Sequence, residues 1–357
     1  MNFGSLKKPF KLDVLRNLIY KVKTEADLEP IKVYITSYFA PLSKEILYWK
    51  PIEKEYESMS DREVKARFLR NDIAVIHLPP GPDGKPQKRE FNVRNWFFNT
   101  YTNIYSRGFN VRKPRLYKVD GQIYINSFAG FLHTTTQPFS EYSQKLRDGV
   151  KIINEHIQKV WCSNNEELTE YTLNWIAHMV SGRKMETVLF IQSPPGTGKG
   201  TITEFIREKV LGDNIVKITD DPNIIAGTFN KQIEGYILLL LEEMPTGKNE
   251  WHTFSQRMKH LITGKKMEIH EKNKTPYSLD NNLSIIINTN NRNAIRLETG
   301  DRRYVYLDVS VERIGDTDYF DNLNEIIDLP GIGEAYYAYM LERAKATSAN
   351  LKGHKFV

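Results

Sequence analysis

The chain has 357 residues, of which 40% are hydrophobic and 26% are charged, and this composition excludes a largely disordered protein. The length exceeds what one hydrophobic core usually supports, so we expect two domains. The net charge of +6 is compatible with a nucleic-acid partner but does not require one.

Cysteine content and apolar runs exclude further classes of protein. Cys162 is the single cysteine, which rules out an internal disulfide framework and a cysteine-rich zinc site and fits a reducing, intracellular compartment. The N-terminal residues lack the apolar run of a signal peptide. The longest apolar stretch, YILLLL at 236–241, has the length of a strand and is too short to span a bilayer, so no membrane partner is expected.

Residues 1–140 are expected to form a mixed α+β domain of unassigned role. YKVDGQIYIN, at 117–126, predicts a β-hairpin, because apolar residues alternate around Asp120-Gly121, a pair suited to a tight turn. Residues 1–120 contain no Asp-x-Asp after an apolar strand, which is the pattern that a primase polymerase site needs to hold two metal ions. Primer synthesis is therefore not expected of this chain.

Residues 141–183 predict a collar of two amphipathic helices. An apolar stripe at helical spacing marks the first helix and consists of Leu146, Val150, Ile153, Ile157 and Val160. Ser163 and Glu166 predict a capping box at the start of the second helix, and Ser181-Gly182 predicts its end. Both helices are expected to bury core residues and to lead into a second domain that begins near Lys184.

Residues 187–212 have the order strand, glycine-rich loop, helix. TVLFIQ (187–192) is a continuous apolar run, as expected for a parallel strand that is buried on both faces. SPPGTGKGT (193–201) follows it, and an amphipathic helix then runs to Gly212. The backbone N–H groups of such a loop and of the helix N-terminus form a cradle for anions, so we predict a site for the phosphates of a nucleotide.

The loop nearly matches G-x-x-x-x-G-K-[ST], the Walker A pattern. Ser193 replaces the first glycine, and Pro194-Pro195 is expected to stiffen the turn instead. Gly200 replaces the hydroxyl residue that normally contacts Mg²⁺, and Thr201 is the nearest substitute. The expected nucleotide-binding residues are Pro195, Gly196, Thr197, Gly198, Lys199, Gly200 and Thr201, of which Lys199 supplies charge to the β- and γ-phosphates.

Three later segments place polar residues at the ends of predicted strands. YILLLLEEM (236–244) ends in two acids, an arrangement that holds Mg²⁺ and polarises an attacking water. LSIIINTNN (283–291) ends in amides that can orient this water. GDRRYVYLDV (300–309) puts two arginines before a strand, and an arginine from a neighbouring subunit can raise the rate of phosphoryl transfer by roughly 10³–10⁵.

This order of loop, paired acids, asparagine strand and arginine resembles the ATPase core of superfamily 3 helicases, most closely the viral and mobile-element primase-helicases of the poxvirus type. The resemblance extends over residues 120–312. It implies an α/β fold with an AAA+-like P-loop ATPase domain and a parallel sheet at 184–312, preceded by the mixed domain and the collar. It also implies ATP and Mg²⁺ as ligands, a homohexamer, and an ATP-dependent DNA helicase that moves along single-stranded DNA during replication. The resemblance further implies a separate primase or polymerase as a partner and a viral replication site in a host cell as the location.

The resemblance also assigns roles to individual residues. These are Lys199 on phosphate, Thr201 and Glu242 on Mg²⁺, Glu243 as the base that polarises water, Asn290 or else Asn288 as the sensor of the γ-phosphate, and Arg302 or Arg303 as the arginine finger.

Residues 258–282 are similar to a segment of that family in which the tip of a β-hairpin grips single-stranded DNA. Apolar residues alternate on both sides of the charged tip EKNKT (271–275), which predicts such a hairpin. Lysines suit a translocating motor because they contact phosphate without reading sequence. Lys272 fits the DNA-binding position best, Lys274 is second, and His270 is adjacent.

Residues 313–357 follow the predicted motor. Asp316 and Asp318 form an Asp-x-Asp in what we interpret as a polar turn at the surface. Residues 331–357 predict one helix and a basic tail, and the apolar face of this helix consists of Tyr336, Tyr337, Met340 and Leu341.

Two other functions fit parts of the sequence. The GKGT ending is shared with adenylate kinase and other nucleoside monophosphate kinases, which favours a phosphotransferase, whereas the paired acids and the asparagine strand oppose it. A nucleotide-gated DNA-binding factor with weak turnover fits the altered loop.

Overall fold

The computed structural model describes residues 7–53, 55–101, 104–242, 244, 248–273, 275–290 and 301–348. The chain divides into two compact units. The first unit consists of Met1–Gly108 and Lys113–Ser127, and the second consists of Phe109–Arg112 and Phe128–Val357.

The first unit combines short helices with small sheets. Its helices are α1 (Leu12–Tyr20), a 3₁₀ turn (Glu25–Leu28), α2 (Glu29–Tyr38), α3 (Asp61–Arg67) and α4 (Val93–Asn95), which continues as a π-type turn over Trp96–Thr100. Its strands are β1 (Phe39–Pro41), β2 (Ile46–Lys50), β3 (Glu55–Met59), β4 (Ile73–Leu78), β5 (Gln87–Asn92), β6 (Tyr105–Gly108), β7 (Leu116–Val119) and β8 (Gln122–Asn126). These strands form the sheets β1-β2-β3, β4-β5 and β6-β8-β7.

Local sequence signals account for several of these elements. Ser60 and Glu63 form a capping box that begins α3, which satisfies N–H groups that the first turn leaves without partners. The hairpin predicted at 117–126 is confirmed, because β7 pairs antiparallel with β8. Asp120 and Gly121 both have positive φ, 48° and 83°, as a tight turn of this kind requires.

The second unit contains a parallel sheet and the helices around it. Its helices are a 3₁₀ turn (Phe139–Glu141), α5 (Gln144–His156) with a π-type continuation (Ile157–Trp161), α6 (Glu166–Val180), α7 (Lys199–Phe205) with a π-type continuation (Ile206–Leu211), α8 (Asn223–Ala226), α9 (Lys248–Thr263), α10 (Thr317–Ile327) and α11 (Ile332–Thr347). Short 3₁₀ turns cover Asp213–Ile215 and Lys231–Ile233. Its strands are β9 (Val188–Gln192), β10 (Val216–Thr219), β11 (Leu238–Leu241), β12 (Lys266–Ile269), β13 (Tyr277–Asp280), β14 (Ser284–Thr289) and β15 (Tyr304–Asp308).

Among the described residues, five strands form a parallel sheet in the order β10-β11-β14-β9-β15. Every residue of β9, β11 and β14 is buried, because parallel strands are covered by helices on both faces. The prediction of a doubly buried strand at 187–192 is therefore confirmed. The carboxyl ends of these strands all lie at one edge of the sheet, and the polar residues that follow them are brought to that edge.

The collar helices are confirmed, but the capping box predicted for the second helix is wrong. Asn165 caps α6, and its side chain accepts a hydrogen bond from the N–H of Leu168 at 2.9 Å. Ser163 has a φ of 47°, and its hydroxyl instead donates to the carbonyl of Asp308 at 2.6 Å. Because this left-handed turn precedes the helix, the cap shifts to a residue closer to the first turn.

The C-terminal region contains one helix that the sequence did not predict. Asp316 is the N-cap of α10, and its carboxylate accepts a hydrogen bond from the N–H of Tyr319 at 3.2 Å. The interpretation of Asp316 and Asp318 as a polar turn is therefore corrected, since Asp318 lies in the first turn of this helix. The helix predicted from 331 is confirmed as α11, with Tyr336, Tyr337 and Met340 buried.

In the part of the chain that the structure describes, no helix is long and apolar enough to cross a membrane.

Candidate functional site

The glycine-rich loop connects the end of β9 to the start of α7. Gly196 and Gly198 have φ values of 83° and 81°, in the left-handed region that side chains disfavour. A Cβ at Gly198 would lie 2.4 Å from Cε1 of Phe320 and 3.0 Å from Cε1 of His156. These positions therefore require glycine, both for backbone conformation and, at Gly198, for space.

Two hydroxyl groups hold the loop together. Ser193, which stands where the Walker A pattern has its first glycine, is buried, and its Oγ lies 2.7 Å from Oγ1 of Thr197. Thr197 Oγ1 also donates to the carbonyl of Pro194 at 3.3 Å. From the sequence we expected Pro194-Pro195-Gly196 to stiffen the turn and did not predict this contact, for which the only signal is the serine–threonine spacing of four residues.

The loop lysine and a strand-end amide are in direct contact. Lys199 Nζ donates to the carbonyl of Ser193 at 3.3 Å and to Oδ1 of Asn290. Ser193 follows β9 and Asn290 follows β14, and these strands pair in parallel up to Gln192 and Thr289. The predicted phosphate-binding lysine and the predicted sensor residue therefore meet at the carboxyl edge of the sheet.

The two asparagines that the sequence left open have different environments. Asn288 is buried in β14, and its Nδ2 lies 3.4 Å from Oγ1 of Thr203 on α7. Asn290 is exposed and contacts Lys199. The geometry therefore places Asn290 against the loop and Asn288 between the sheet and the helix.

The missing hydroxyl at Gly200 leaves space in the first turn of α7. A Cβ at Gly200 would meet no atom within 4 Å. Thr201, one residue later, is half-buried, whereas the hydroxyl of Thr203 already donates to the carbonyl of Gly200 at 2.9 Å. Because the Thr203 hydroxyl is engaged, Thr201 remains the candidate for a metal-binding hydroxyl.

The acid that follows β11 lies at the same edge of the sheet. Glu242 is exposed, and its N–H donates to the carbonyl of Thr219 at 2.9 Å. One strand, β14, separates β11 from β9, which places the ends of those strands about 10 Å apart at the usual strand spacing. This span suits a metal ion and phosphate groups between the loop and the acid. Glu243 lies outside the described residues.

The two candidate finger arginines differ in their surroundings. Arg303 Nη1 lies 3.0 Å from Oδ1 of Asp301, a carboxylate with only 5% of its side chain exposed. The N–H of Arg303 donates to the same oxygen at 3.1 Å. Arg302 is exposed. Because Arg303 pairs with Asp301 of its own chain, Arg302 is the better candidate for an arginine finger that contacts another subunit.

The predicted hairpin at 266–280 is confirmed. Met267 pairs with Leu279 and Ile269 with Tyr277 in an antiparallel ladder. Lys272 is exposed at the tip, whereas Lys274 lies outside the described residues. His270 lies below the tip, where its Nε2 is 3.2 Å from Oε2 of Glu268.

The neck of the hairpin is held by a half-buried lysine. Lys184 Nζ donates to the carbonyls of Leu261 and Gly264 at 2.6 and 2.7 Å, and Nδ2 of Asn281 donates to the same two oxygens at 2.8 and 2.9 Å. Burial lowers the pKa of Lys184 to about 8. These bonds tie the last turn of α9 to the chain just before β9, and no sequence pattern predicted them.

A buried histidine supports the loop from the collar. His156 Nδ1 lies 2.9 Å from the hydroxyl of Tyr319 on α10. Burial lowers the pKa of His156 to about 4, so the ring is neutral near pH 7. Together with Phe320 it fills the space beside Gly198. The loop therefore rests on side chains from both α5 and α10.

Comparison with known proteins gives a family match and a curated relative. Residues 191–303 match a family described as of unknown function, DUF5906, which is less than half of the chain. The protein named DNA primase-polymerase of Nitratiruptor phage NrS-1 is 22% identical over 208 residues. The alignment covers 58% of this chain and 28% of that relative, so the chain spans less than a third of the relative's length.

Solved structures of the NrS-1 C-terminal region resemble most of the chain. One apo structure of that region matches with a TM-score of 0.59 and 15% identity, and covers 90% of this chain and 74% of that one. Another, the A form of the apo structure, matches with a TM-score of 0.57 and 16% identity over 89% and 74%. At this level of identity the likeness shows a shared fold.

Proposed function

We propose that the chain is a replication motor of the superfamily 3 helicase type, which hydrolyses ATP to move along single-stranded DNA. The contact between Lys199 and Asn290 carries this proposal, because it joins the phosphate-binding loop to the strand end that senses the γ-phosphate. Similarity to a phage protein named for primase and polymerase activity supports a role in viral DNA replication.

Each residue at the carboxyl edge of the sheet has a separate role in the proposed hydrolysis of ATP. The N–H groups of the loop and of the first turn of α7 surround the phosphates, where the helix N-terminus favours negative charge. Lys199 exchanges its contact with Asn290 for the β- and γ-oxygens, and this frees the amide of Asn290 to orient water. Thr201 and Glu242 would hold Mg²⁺, which when bound would neutralise phosphate charge, and Glu243 would act as the base.

The proposed assembly is a homohexamer in which Arg302 completes the site of the neighbouring subunit. An arginine acts on transition-state charge only if it can reach the transferred phosphoryl group, and Arg302 is the exposed member of the pair. The hairpin tip with Lys272, and next to it Lys274 and His270, would line the channel and contact DNA phosphates. A separate primase or polymerase would supply the primers.

The domain assignment belongs to the same proposal. Residues 1–140 form the N-terminal domain, 141–183 the collar, 184–312 the motor, and 313–357 the C-terminal helices and tail. The contacts of Phe320 and His156 beside Gly198 support a role for the collar and for α10 in holding the loop in shape.

Strand displacement on a forked DNA substrate tests this function, with Lys199→Ala and Asn290→Ala beside the wild type. We expect ATP-dependent displacement by the wild type and none by either variant. Transfer of phosphate from ATP to AMP without DNA would favour the kinase instead. Tight ATP binding with negligible turnover on DNA would favour a nucleotide-gated binding factor, for which the glycine at position 200 is the supporting observation.

A further inference from the structure

Positive charge is concentrated in the N-terminal part of the chain, which precedes the glycine-rich loop in the sequence. Residues 1–127 contain 23 lysines and arginines and 14 aspartates and glutamates, whereas residues 128–357 contain 27 and 30. The first part is therefore strongly basic and the second slightly acidic. A basic surface of this kind attracts the phosphates of nucleic acid without regard to sequence.

The sheet β6-β8-β7 of the first unit has two chemically different faces. One face contributes Tyr105, Ile125 and Leu116 to a hydrophobic cluster with Trp49. Because side chains alternate along a strand, Tyr117 and Tyr124 lie on the opposite face. This second face, defined by Tyr117 and Tyr124 and here called the tyrosine face, is half-buried at both tyrosines.

The two tyrosines form a stack on this face. They stand directly opposite each other in the β7-β8 register, with ring centroids 5.3 Å apart and planes inclined by 10°. Gly108 on β6 makes room for the pair, since a Cβ there would lie 2.1 Å from the phenol oxygen of Tyr117. Neither tyrosine is among the residues that pack against the described core clusters.

Basic residues accompany the stack along the chain. Lys113 is exposed four residues before Tyr117. Lys118 is also exposed, but it alternates with Tyr117 on the edge strand β7 and lies on the face of Leu116. Parallel aromatic rings on a sheet offer a surface on which further flat rings can stack, and flanking ammonium groups offer contacts for phosphate. A base whose faces are already covered in a duplex cannot use such a surface.

We propose that the tyrosine face binds single-stranded nucleic acid, with bases stacked on Tyr117 and Tyr124 and a neighbouring phosphate contacted by Lys113. This site is separate from the motor hairpin and assigns a role to the first unit. Every base has a π-face, so binding is tolerant of sequence. Its salt dependence follows from the phosphate contacts.

Fluorescence anisotropy of a labelled oligothymidine, measured on the full-length chain without nucleotide, tests the proposal. All proteins carry Lys272→Ala and Lys274→Ala, so that the lysines of the hairpin tip do not contribute. We expect Tyr117→Ala and Tyr124→Ala to bind roughly 5- to 150-fold more weakly, the loss that removal of a stacking ring produces. Tyr124→Phe should bind like its parent. Tyr20→Ala is the matched control, because Tyr20 is 91% exposed in the same unit but lies on α1, and it should have no effect.

A second readout does not depend on the folding of variants. The same chain is photocrosslinked to single-stranded DNA that contains iododeoxyuridine, and the modified peptides are mapped by mass spectrometry. We expect crosslinks within 116–126, and we expect unlabelled duplex to compete poorly. Alanine variants that bind like their parent, crosslinks confined to the motor hairpin, or equal competition by duplex would each overturn the proposal. Loss of ATP hydrolysis would leave these results unchanged, so the two proposed functions are tested separately.

Discussion

Alanine substitutions at the three loop glycines should have three different effects on stability. Gly200 lies in α7 with open space around it, so Gly200→Ala should stabilise by about 0.5–1 kcal/mol, the usual gain inside a helix. Gly196 has positive φ, but its nearest neighbour to an added Cβ is Cγ2 of Ile314 at 3.9 Å. Gly196→Ala should therefore cost only the backbone strain, about 1–2 kcal/mol.

Gly198 has the same backbone strain as Gly196 but lacks the space for a methyl group. An added Cβ would lie 2.4 Å from the ring of Phe320, and overpacking of this kind costs roughly 1–3 kcal/mol more. Urea unfolding, with hydrogen exchange of peptides from β9 to identify the second unit, measures all three variants. Equal losses at Gly196 and Gly198, or a loss at Gly200, would refute the assignment of these costs to conformation and contact.

Three further predictions follow from buried or paired groups. His156 has a pKa of about 4 in the folded chain and 6.5 when unfolded. Because the unfolded chain binds the proton first, the free energy of unfolding should fall by up to roughly 3 kcal/mol as pH drops from 6.5 to 4. In urea melts, the free energy of unfolding of His156→Gln should depend less on pH. Lys184→Met removes one donor from each of the half-buried carbonyls of Leu261 and Gly264 and should cost about 1–3 kcal/mol. Faster hydrogen exchange in α9 and β12 should accompany this loss, and unchanged exchange would contradict the role of Lys184 in holding the two carbonyls. Arg302→Ala should abolish ATP hydrolysis and leave the unfolding midpoint unchanged. Arg303→Ala should lower the unfolding midpoint, because Asp301 loses its partner. The reverse pattern would assign the finger to Arg303.

The parts of the fold with strong local signals could be predicted from the sequence. The apolar run of β9, the Asp120-Gly121 turn and the stripe of α5 each depend on residues that are neighbours in the chain. The cap of α6 could not be predicted, because the left-handed backbone at Ser163 and a hydroxyl bond to Asp308, far along the chain, decide it. The helix α10 could have been predicted, because Phe320, Leu323 and Ile327 fall at helical spacing after the polar cap Asp316.

In the candidate site, too, features set by neighbouring residues could be predicted and contacts between distant residues could not. The glycines and Lys199 are recognisable because the loop pattern is short and continuous. The meeting of Lys199 with Asn290 joins residues 91 positions apart, and only the resemblance to superfamily 3 helicases indicated it. The bonds of Lys184 to the carbonyls after α9 and the packing of His156 beside the glycine-rich loop join different elements. No spacing in the sequence marks them.

The rate of ATP hydrolysis with and without single-stranded DNA, on the wild type and on Glu243→Gln, tests whether the chain is a DNA-coupled motor. We expect DNA to stimulate hydrolysis by the wild type, and we expect the variant, which retains ATP binding, to show neither basal nor stimulated turnover. Hydrolysis that is indifferent to DNA, or equal in the two proteins, would contradict a DNA-coupled motor.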